Sequence, residues 1–334
     1  MKLVIAGIFG EAHVGAHLRH AANKLDLEVI EASQLEASSA NPFTRKWHWL
    51  WDHKPDRLDA YSRNLLETCH REEVRIVLAT GFAPISAKVL QQLKADGVRV
   101  LNFLTDHPWN PTQSSNWFLE ALPFYDTVFS PRHSAIDALK KLGLTVHYLP
   151  FAYSEIYHHP PKSTANSPAY DLVFIGGGDK ERRATLSPLA DMKINLGLYG
   201  GYWDHYPELR PFYKGFVAGE ELRSIVAASR INLCIVRRAN QDDHVMRTFE
   251  IPAIGGCMLS EDTPAHREFL GTECESALYF KNEIQLKEKV KMLLDDAALR
   301  QRIAQQAHQR ILSSGNTYTD RLRKMFELVG IGLP

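Results

Sequence analysis

Asp171-Leu172-Val173-Phe174-Ile175-Gly176-Gly177-Gly178-Asp179-Lys180-Glu181-Arg182-Arg183 sets the reading of the whole chain. A short apolar run that ends in glycine reads as a buried strand. Glycines placed directly after such a strand let the backbone approach an anion closely, and helix-start amides can bind it. The stretch is not a Walker A loop, since no Gly-Lys-Ser/Thr follows, and it is not G-x-G-x-x-G.

The same rhythm extends on both sides. Downstream, Ile194 to Tyr199 is a strand ending at Gly200-Gly201, Glu220 to Ser229 a helix, and Ile231 to Val236 a strand. Met246 to Ile254 is a short helix stopped by Gly255-Gly256, with Pro252 tolerated in its early turns, and Cys257 to Ser260 is a strand. Glu283 to about Leu328 is helical with a break near Ser313-Ser314-Gly315-Asn316. Upstream, Leu3 to Gly7, Leu27 to Ile30, Arg75 to Gly81, Val98 to Leu104 and Thr127 to Ser130 read as strands, with the clearest helix at Ala87 to Ala95. Apolar strands alternating with amphipathic helices predict an α/β protein with parallel sheets covered on both faces.

Between the two runs, Ser154 to Tyr170 carries Pro160, Pro161 and Pro168 among Ser and Asn, as a linker would. The expected organisation is two Rossmann-like domains, residues 1–153 and 171–316, joined by a linker at 154–170 and followed by a C-terminal helix in 317–334. Ligands of such sheets bind outside the carboxyl ends of the strands.

Composition narrows the function. The chain has 334 residues, of which 45% are hydrophobic and 23% charged, which argues against long disorder. Lys+Arg and Asp+Glu both number 39, so a protein built mainly to grip nucleic acid is disfavoured. Cys69, Cys234, Cys257 and Cys274 form no C-x-x-C pair, which fits a reducing cytoplasm better than a zinc or disulfide framework. The apolar N-terminus reads as a first strand rather than a leader, and no run approaches the roughly 18 residues of a membrane helix. Trp47-His48-Trp49-Leu50-Trp51 suits helix packing, stacking on an acceptor sugar, or peripheral contact with a membrane surface. His13, His17 and His20 have helical spacing, but no acidic partner completes a ligand set, so no metal is expected.

The segment Arg237-Arg238-Ala239-Asn240-Gln241-Asp242-Asp243-His244-Val245-Met246-Arg247-Thr248-Phe249-Glu250-Ile251 crowds charge into a loop before a helix. The Glu250 carboxylate can accept two sugar hydroxyls, or simply satisfy the helix N-terminus. Arg247, three residues earlier, can reach phosphate or pair with Glu250. Lys180, Arg182 and Arg183 can neutralise a diphosphate, or serve as a solvated turn. In Thr105-Asp106-His107-Pro108-Trp109-Asn110, Asp106 or His107 can act as a general base or hold sugar hydroxyls; an Asx-type turn with a packed histidine is the plainer alternative. Glu11 and His13 follow the first strand and can touch an acceptor or phosphate.

The 237–259 segment resembles the donor-site motif of retaining glycosyltransferases with the two-domain GT-B fold. There, two carboxylates eight positions apart flank the site and the second holds the nucleotide ribose. Glu250 matches the second, and Asp242 stands at the first as Asp rather than Glu, in a loop without the Gly-Phe-Gly-Leu-Pro core. Most of the chain is similar to the CgeB-like glycosyltransferases. The likeness runs through Thr105-Asp106-His107-Pro108-Trp109, Tyr125-Asp126-Thr127-Val128-Phe129-Ser130 and Leu149-Pro150-Phe151-Ala152. It continues in Phe174-Ile175-Gly176 with Arg182, Leu198-Tyr199-Gly200 with Trp203, Arg247-Thr248-Phe249-Glu250-Ile251, and Thr317-Tyr318 with Arg321.

This resemblance implies two facing Rossmann-like domains, an acceptor on the N-terminal one, a nucleotide sugar on the C-terminal one, and a final helix crossing back. It implies a donor site of Gly176, Gly177, Lys180, Arg182, Tyr199, Gly200, Phe216, Val217, Arg247, Thr248 and Glu250. Asp106, His107 and Asp242 would be catalytic, and Glu11, His13 and Trp109 would meet the acceptor. It implies transfer of a glycosyl unit to a hydroxyl without a metal or cofactor. A nucleotide-sugar 2-epimerase of the same fold and a non-catalytic nucleotide or sugar binder are the alternative expectations.

Overall fold

In the computed structural model, residues 1–38, 52–162 and 169–333 are described. The Trp47–Trp51 cluster lies outside them.

Two all-parallel sheets form. The first uses β1 (Lys2–Gly7), β2 (Glu28–Ser33), β3 (Ile76–Thr80), β4 (Arg99–Phe103), β5 (Thr127–Ser130) and β6 (Val146–Tyr148) in the order β2-β1-β3-β4-β5-β6. Its register sets Val4 beside Val77 and Phe103 beside Phe129. The second uses β7 (Leu172–Ile175), β8 (Leu196–Tyr199), β9 (Ile231–Cys234), β10 (Met258–Glu261) and β11 (Leu278–Phe280) in the order β11-β10-β9-β7-β8. Every residue of β3, β7, β8 and β9 is buried, which is why these strands are almost wholly apolar, with Thr80 in β3 and Asn232 in β9 as the polar exceptions.

Two short strands, β6 and β11, go beyond the sequence expectation; each has three residues at a sheet edge. The C-terminal helical region also breaks once more than expected. Asp296 ends the helix Glu283–Asp295 and caps the helix Ala297–Ser313, its Oδ1 accepting the Leu299 N–H at 2.8 Å. Pro252 is the sixth residue of the helix Arg247–Ile254 rather than part of its opening turn, and Gly255 ends that helix at φ 93°.

The contacts divide the chain into two units. One contains residues 1–150, 239–241 and 318–334; the other contains 151–238 and 242–317. In the first unit the final helix, Tyr318–Leu328, packs on the helix Val14–Lys24. Tyr318 stacks on His17 with ring centroids 5.0 Å apart, and Arg321 Nε donates to the Pro150 carbonyl at 2.9 Å. Among the described residues no helix is long and apolar enough to cross a membrane.

Candidate functional site

Strand order locates the sites. In each sheet the chain winds outward in both directions from a switch point, between β1 and β3 in the first and between β7 and β9 in the second. Loops at such points open a crevice beyond the strand ends.

In the second unit the loop after β7 is Gly176–Gly178. Gly176 N–H donates to Tyr199 O at 2.8 Å, Gly178 N–H to Gly201 O at 2.8 Å, and Gly200 N–H to Gly215 O at 2.9 Å. Trp203 Nε1 donates to Gly176 O at 2.8 Å. The glycines answer different needs. A Cβ on Gly178 would lie 3.1 Å from the Trp203 ring, and one on Gly200, where φ is 116°, would lie 2.5 Å from Gly176 O. At Gly177 the nearest atom would be 3.8 Å away, and its N–H has no partner among the described residues.

Asp179 caps the next helix, Lys180–Ala190, accepting the N–H groups of Glu181 at 3.1 Å and Arg182 at 2.9 Å. Lys180 is exposed and makes no ion pair among the described residues. Arg182 is turned inward. Its guanidinium donates to Gly177 O and Ile235 O, both at 3.1 Å, so it clips the ends of β7 and β9 together. Burial pulls its pKa down, partly countered by Asp179. Arg183 pairs with Glu208 instead.

The loop after β9 leads into the helix Arg247–Ile254. Glu250 is 1% exposed and forms an ion pair with Arg247 through Nη1. Its other oxygen faces His158 Nε2 at 3.6 Å. His158 Nδ1 accepts the Ser154 N–H at 2.9 Å, so the hydrogen of the neutral ring sits on Nε2, toward Glu250. The exposed, dipole-satisfying Glu that spacing allows is therefore excluded. Asp242 is half-buried, with its N–H on Arg237 O at 3.2 Å, and its charge reaches Arg182. Arg182 and Arg247 both act on the buried Cys234 thiol at the end of β9, which places the two cations around one strand end.

Other expected donor residues divide into two groups. Tyr199 is buried, and its hydroxyl meets that of Tyr170 at 3.0 Å. Thr248 is fully buried. By contrast Phe216 is 78% exposed, and its ring lies over Gly201, 3.2 Å from where a Cβ would stand. Val217 beside it is buried.

In the first unit, Asp106 follows β4. Its carboxylate accepts from Asn240 Nδ2 and Thr105 Oγ1, both at 3.2 Å. Asn240 Oδ1 in turn accepts from Asn110 Nδ2 at 2.6 Å. Neither Asn240 nor Asn110 was marked by the sequence reading, although both lie inside the stretches it singled out. Gly81, at φ 56°, leaves room for Thr105, because a Cβ there would lie 2.8 Å from Oγ1. His107 is buried edge-on to Trp109, and burial with the nearby Arg132 charge lowers its pKa. Glu11 and His13 are exposed in the loop after β1, and no hydrogen bond joins either to Asp106 among the described residues.

These features define an α/β protein of two parallel-sheet, Rossmann-like units, the GT-B class. Residues 181–327 match the family model described as "Glycosyl transferase-like". No curated protein matches the chain in sequence. Solved structures do match in fold. A sucrose-phosphate synthase from Thermosynechococcus elongatus has a TM-score of 0.68 at 11% identity, over 99% of this chain and 98% of that one. An alpha-glucosyltransferase in complex with UDP and a 13-mer DNA has a TM-score of 0.66 at 13% identity, over 99% of both chains. A putative UDP-N-acetylglucosamine 2-epimerase from Listeria monocytogenes has a TM-score of 0.53 at 14% identity, over 99% of this chain and 97% of that one.

Proposed function

We propose that this protein is a glycosyltransferase that moves a sugar from a nucleoside diphosphate sugar to an acceptor hydroxyl. The observation that carries the reading is the buried Arg247–Glu250 pair on the helix after β9. It stands next to the sheet's switch point and inside the stretch that matches the glycosyl transferase-like model. The fold likeness to an alpha-glucosyltransferase in complex with UDP supports the same reading.

In this proposal the unpartnered Gly177 N–H and exposed Lys180 receive the diphosphate. Arg247 turns from Glu250 to a phosphate oxygen, and the freed carboxylate accepts the ribose hydroxyls. Arg182 keeps the glycine turn in place and adds positive charge beneath it. Negative charge grows on the diphosphate as the glycosidic bond breaks, so fixed cations and amides stabilise that moment most. The exposed Phe216 ring and the backbone of Phe216 and Val217 receive the base. Asp106, held by Asn240 and Thr105, takes the acceptor hydroxyl's proton, with His107, Trp109, Glu11 and His13 as the neighbouring acceptor contacts. Asp242 acts on the donor side through the charge it shares with Arg182. No metal is needed in this scheme, because Lys180, Arg182 and Arg247 supply the positive charge; full turnover in excess chelator is expected.

The test is release of nucleoside diphosphate from a panel of nucleotide sugars, with and without a mixture of sugar and lipid-linked acceptors. Release that needs an acceptor and disappears in Glu250→Gln supports the proposal. Conversion of the donor to an isomer without any acceptor supports a 2-epimerase. Tight binding without turnover supports a non-catalytic binder.

A further inference from the structure

Behind the Arg247–Glu250 turn lies a buried chain of polar groups that the scheme above leaves unused. Thr248, Ser260 and His266 have no exposure, and Cys234 has 1%. Thr248 Oγ1 accepts the Val245 N–H at 3.1 Å and lies 3.0 Å from His266 Nε2. The other ring nitrogen, Nδ1, lies 2.7 Å from the Glu261 carbonyl oxygen and 2.8 Å from Ser260 Oγ.

Backbone groups fix the direction of every bond. A carbonyl oxygen can only accept, so Nδ1 carries the ring hydrogen. Nε2 of the neutral ring is then an acceptor, and the Thr248 hydroxyl hydrogen points to it. That hydroxyl oxygen remains free to take the Val245 N–H. The relay runs one way, from Val245 through Thr248 and His266 to Glu261. Burial pushes the His266 pKa down to about 4, with the Glu261 carbonyl, Asp243 and Asp262 opposing and His244 adding to the effect. The same Glu261 holds the loop after β9 with its carboxylate, accepting Val236 N–H at 3.2 Å and pairing with Arg238 at 2.6 Å. Cys234 Sγ sits 3.9 Å from both Thr248 Oγ1 and His266 Nε2. Burial raises its pKa to about 11, so it fills space as a thiol.

We propose that His266, held as the neutral Nδ1–H form, is a positioning residue that acts through Thr248 to aim Arg247 and Glu250 at the nucleoside diphosphate. The inference rests on the donor-site reading. Thr248 is flanked by Arg247 and lies two residues before Glu250, on the first turn of their helix. Anchoring its side chain at two points fixes how that turn is rotated. A buried relay with every member satisfied is rigid, and one with a missing member leaves polar groups stranded.

The test uses the whole chain and two substitutions, Thr248→Val, which removes the hydroxyl at nearly constant shape, and Thr248→Ser, which keeps it. The first readout needs no variant or ligand: long-range ¹H–¹⁵N spectra of the histidine rings. His266 should show a protonated Nδ1 and a bare Nε2 from pH 5 to 8; an Nε2–H or charged ring overturns the inference. The second is the affinity for UDP, GDP, dTDP and ADP by calorimetry. Thr248→Val should bind about tenfold more weakly than wild type, the size of one well-placed hydrogen bond, while Thr248→Ser restores the affinity. Equal affinity in wild type, Val and Ser variants overturns it. The third is hydrogen exchange at Arg247 Nε–H, expected to be faster only in the Val variant; equal exchange in all three overturns the inference. If no diphosphate binds wild type, the donor-site reading fails on its own, and the ring spectrum and the exchange rates still decide the positioning role.

Discussion

Arg247 and Glu250 stand one turn apart on a single helix and pair inside the protein, where Glu250 keeps 1% exposure. An ion pair at this spacing on a surface would contribute little. Here the carboxylate has left water, and the guanidinium and the His158 ring are what it has in exchange. Such a pair is poor at adding stability and sensitive to the loss of one partner.

Arg247→Met should therefore lower the free energy of unfolding by about 3 kcal/mol, because it strands a buried carboxylate. The double variant Arg247→Met/Glu250→Gln should recover most of that loss. Urea unfolding measures both. A single variant as stable as wild type would mean that Glu250 does not depend on Arg247.

The glycines of the loop after β7 should separate stability from binding. At Gly200 the backbone is in a region that L side chains avoid, and a Cβ would meet the Gly176 carbonyl at 2.5 Å. Gly200→Ala should cost about 2 kcal/mol or more in urea unfolding. Gly177 has open space, so Gly177→Ala should change stability by less than about 0.5 kcal/mol. It should nonetheless weaken nucleoside diphosphate binding, since the added methyl would stand where the proposed site takes the phosphate. Unchanged affinity in Gly177→Ala would remove this loop from the site.

His266 gives a pH dependence with a definite sign. Its folded pKa is about 4 against 6.5 in the unfolded chain. Between these values the unfolded state binds the extra proton, so stability rises with pH across this window. The contribution is fully present above about pH 6.5 and lost as pH falls through about 4, a change of about 3 kcal/mol. His13, His20 and His107 are lowered too and act in the same direction. The His266 share is the difference in slope between wild type and His266→Gln, measured by urea unfolding from pH 4 to 7. Parallel slopes would show that His266 titrates in the folded protein as it does in the unfolded chain.

Asp106 and Asn240 should differ in kinetics. A positioned base contributes roughly a hundredfold or more, so Asp106→Asn should lower kcat by at least about 100-fold with little change in the donor KM. Asn240→Ala leaves the base in place without one of its two donors and should cost about tenfold in kcat. Equal rates in Asp106→Asn and wild type would remove Asp106 as the base.

The sheets were legible because their strands are short apolar runs closed by glycine or polar turns, as at Leu172–Ile175 and Gly176. β6 escaped because His147 and Tyr148 are only half-buried at the sheet edge, so the run never became apolar. The break at Asp296 escaped because a capping aspartate does not interrupt a helical pattern of apolar residues. At the site, spacing offered Arg247 and Glu250 as a pair but not the burial that gives the pair its meaning. His158 comes from a region the sequence marks as a linker, and nothing local announces that its ring faces Glu250. His266 carried one signal: Thr263-Pro264 starts its helix, with Thr263 Oγ1 accepting the His266 N–H at 3.0 Å. Of its ring partners, Ser260 and Glu261 lie just before it at the end of β10, but Thr248 comes from the helix after β9 and depends on the pairing of β9 with β10.

Everything above turns on whether Glu250 and Arg247 mark a nucleoside diphosphate site. A thermal-shift panel of UDP, GDP, dTDP and ADP on wild type and Glu250→Ala tests it most directly. Ligand at about 100 times its Kd should stabilise by roughly 2.7 kcal/mol, a rise of a few degrees in Tm. The predicted result is that one diphosphate raises the Tm of wild type and leaves Glu250→Ala unmoved. No shift with any of the four at millimolar concentration, or an equal shift in both proteins, would contradict it.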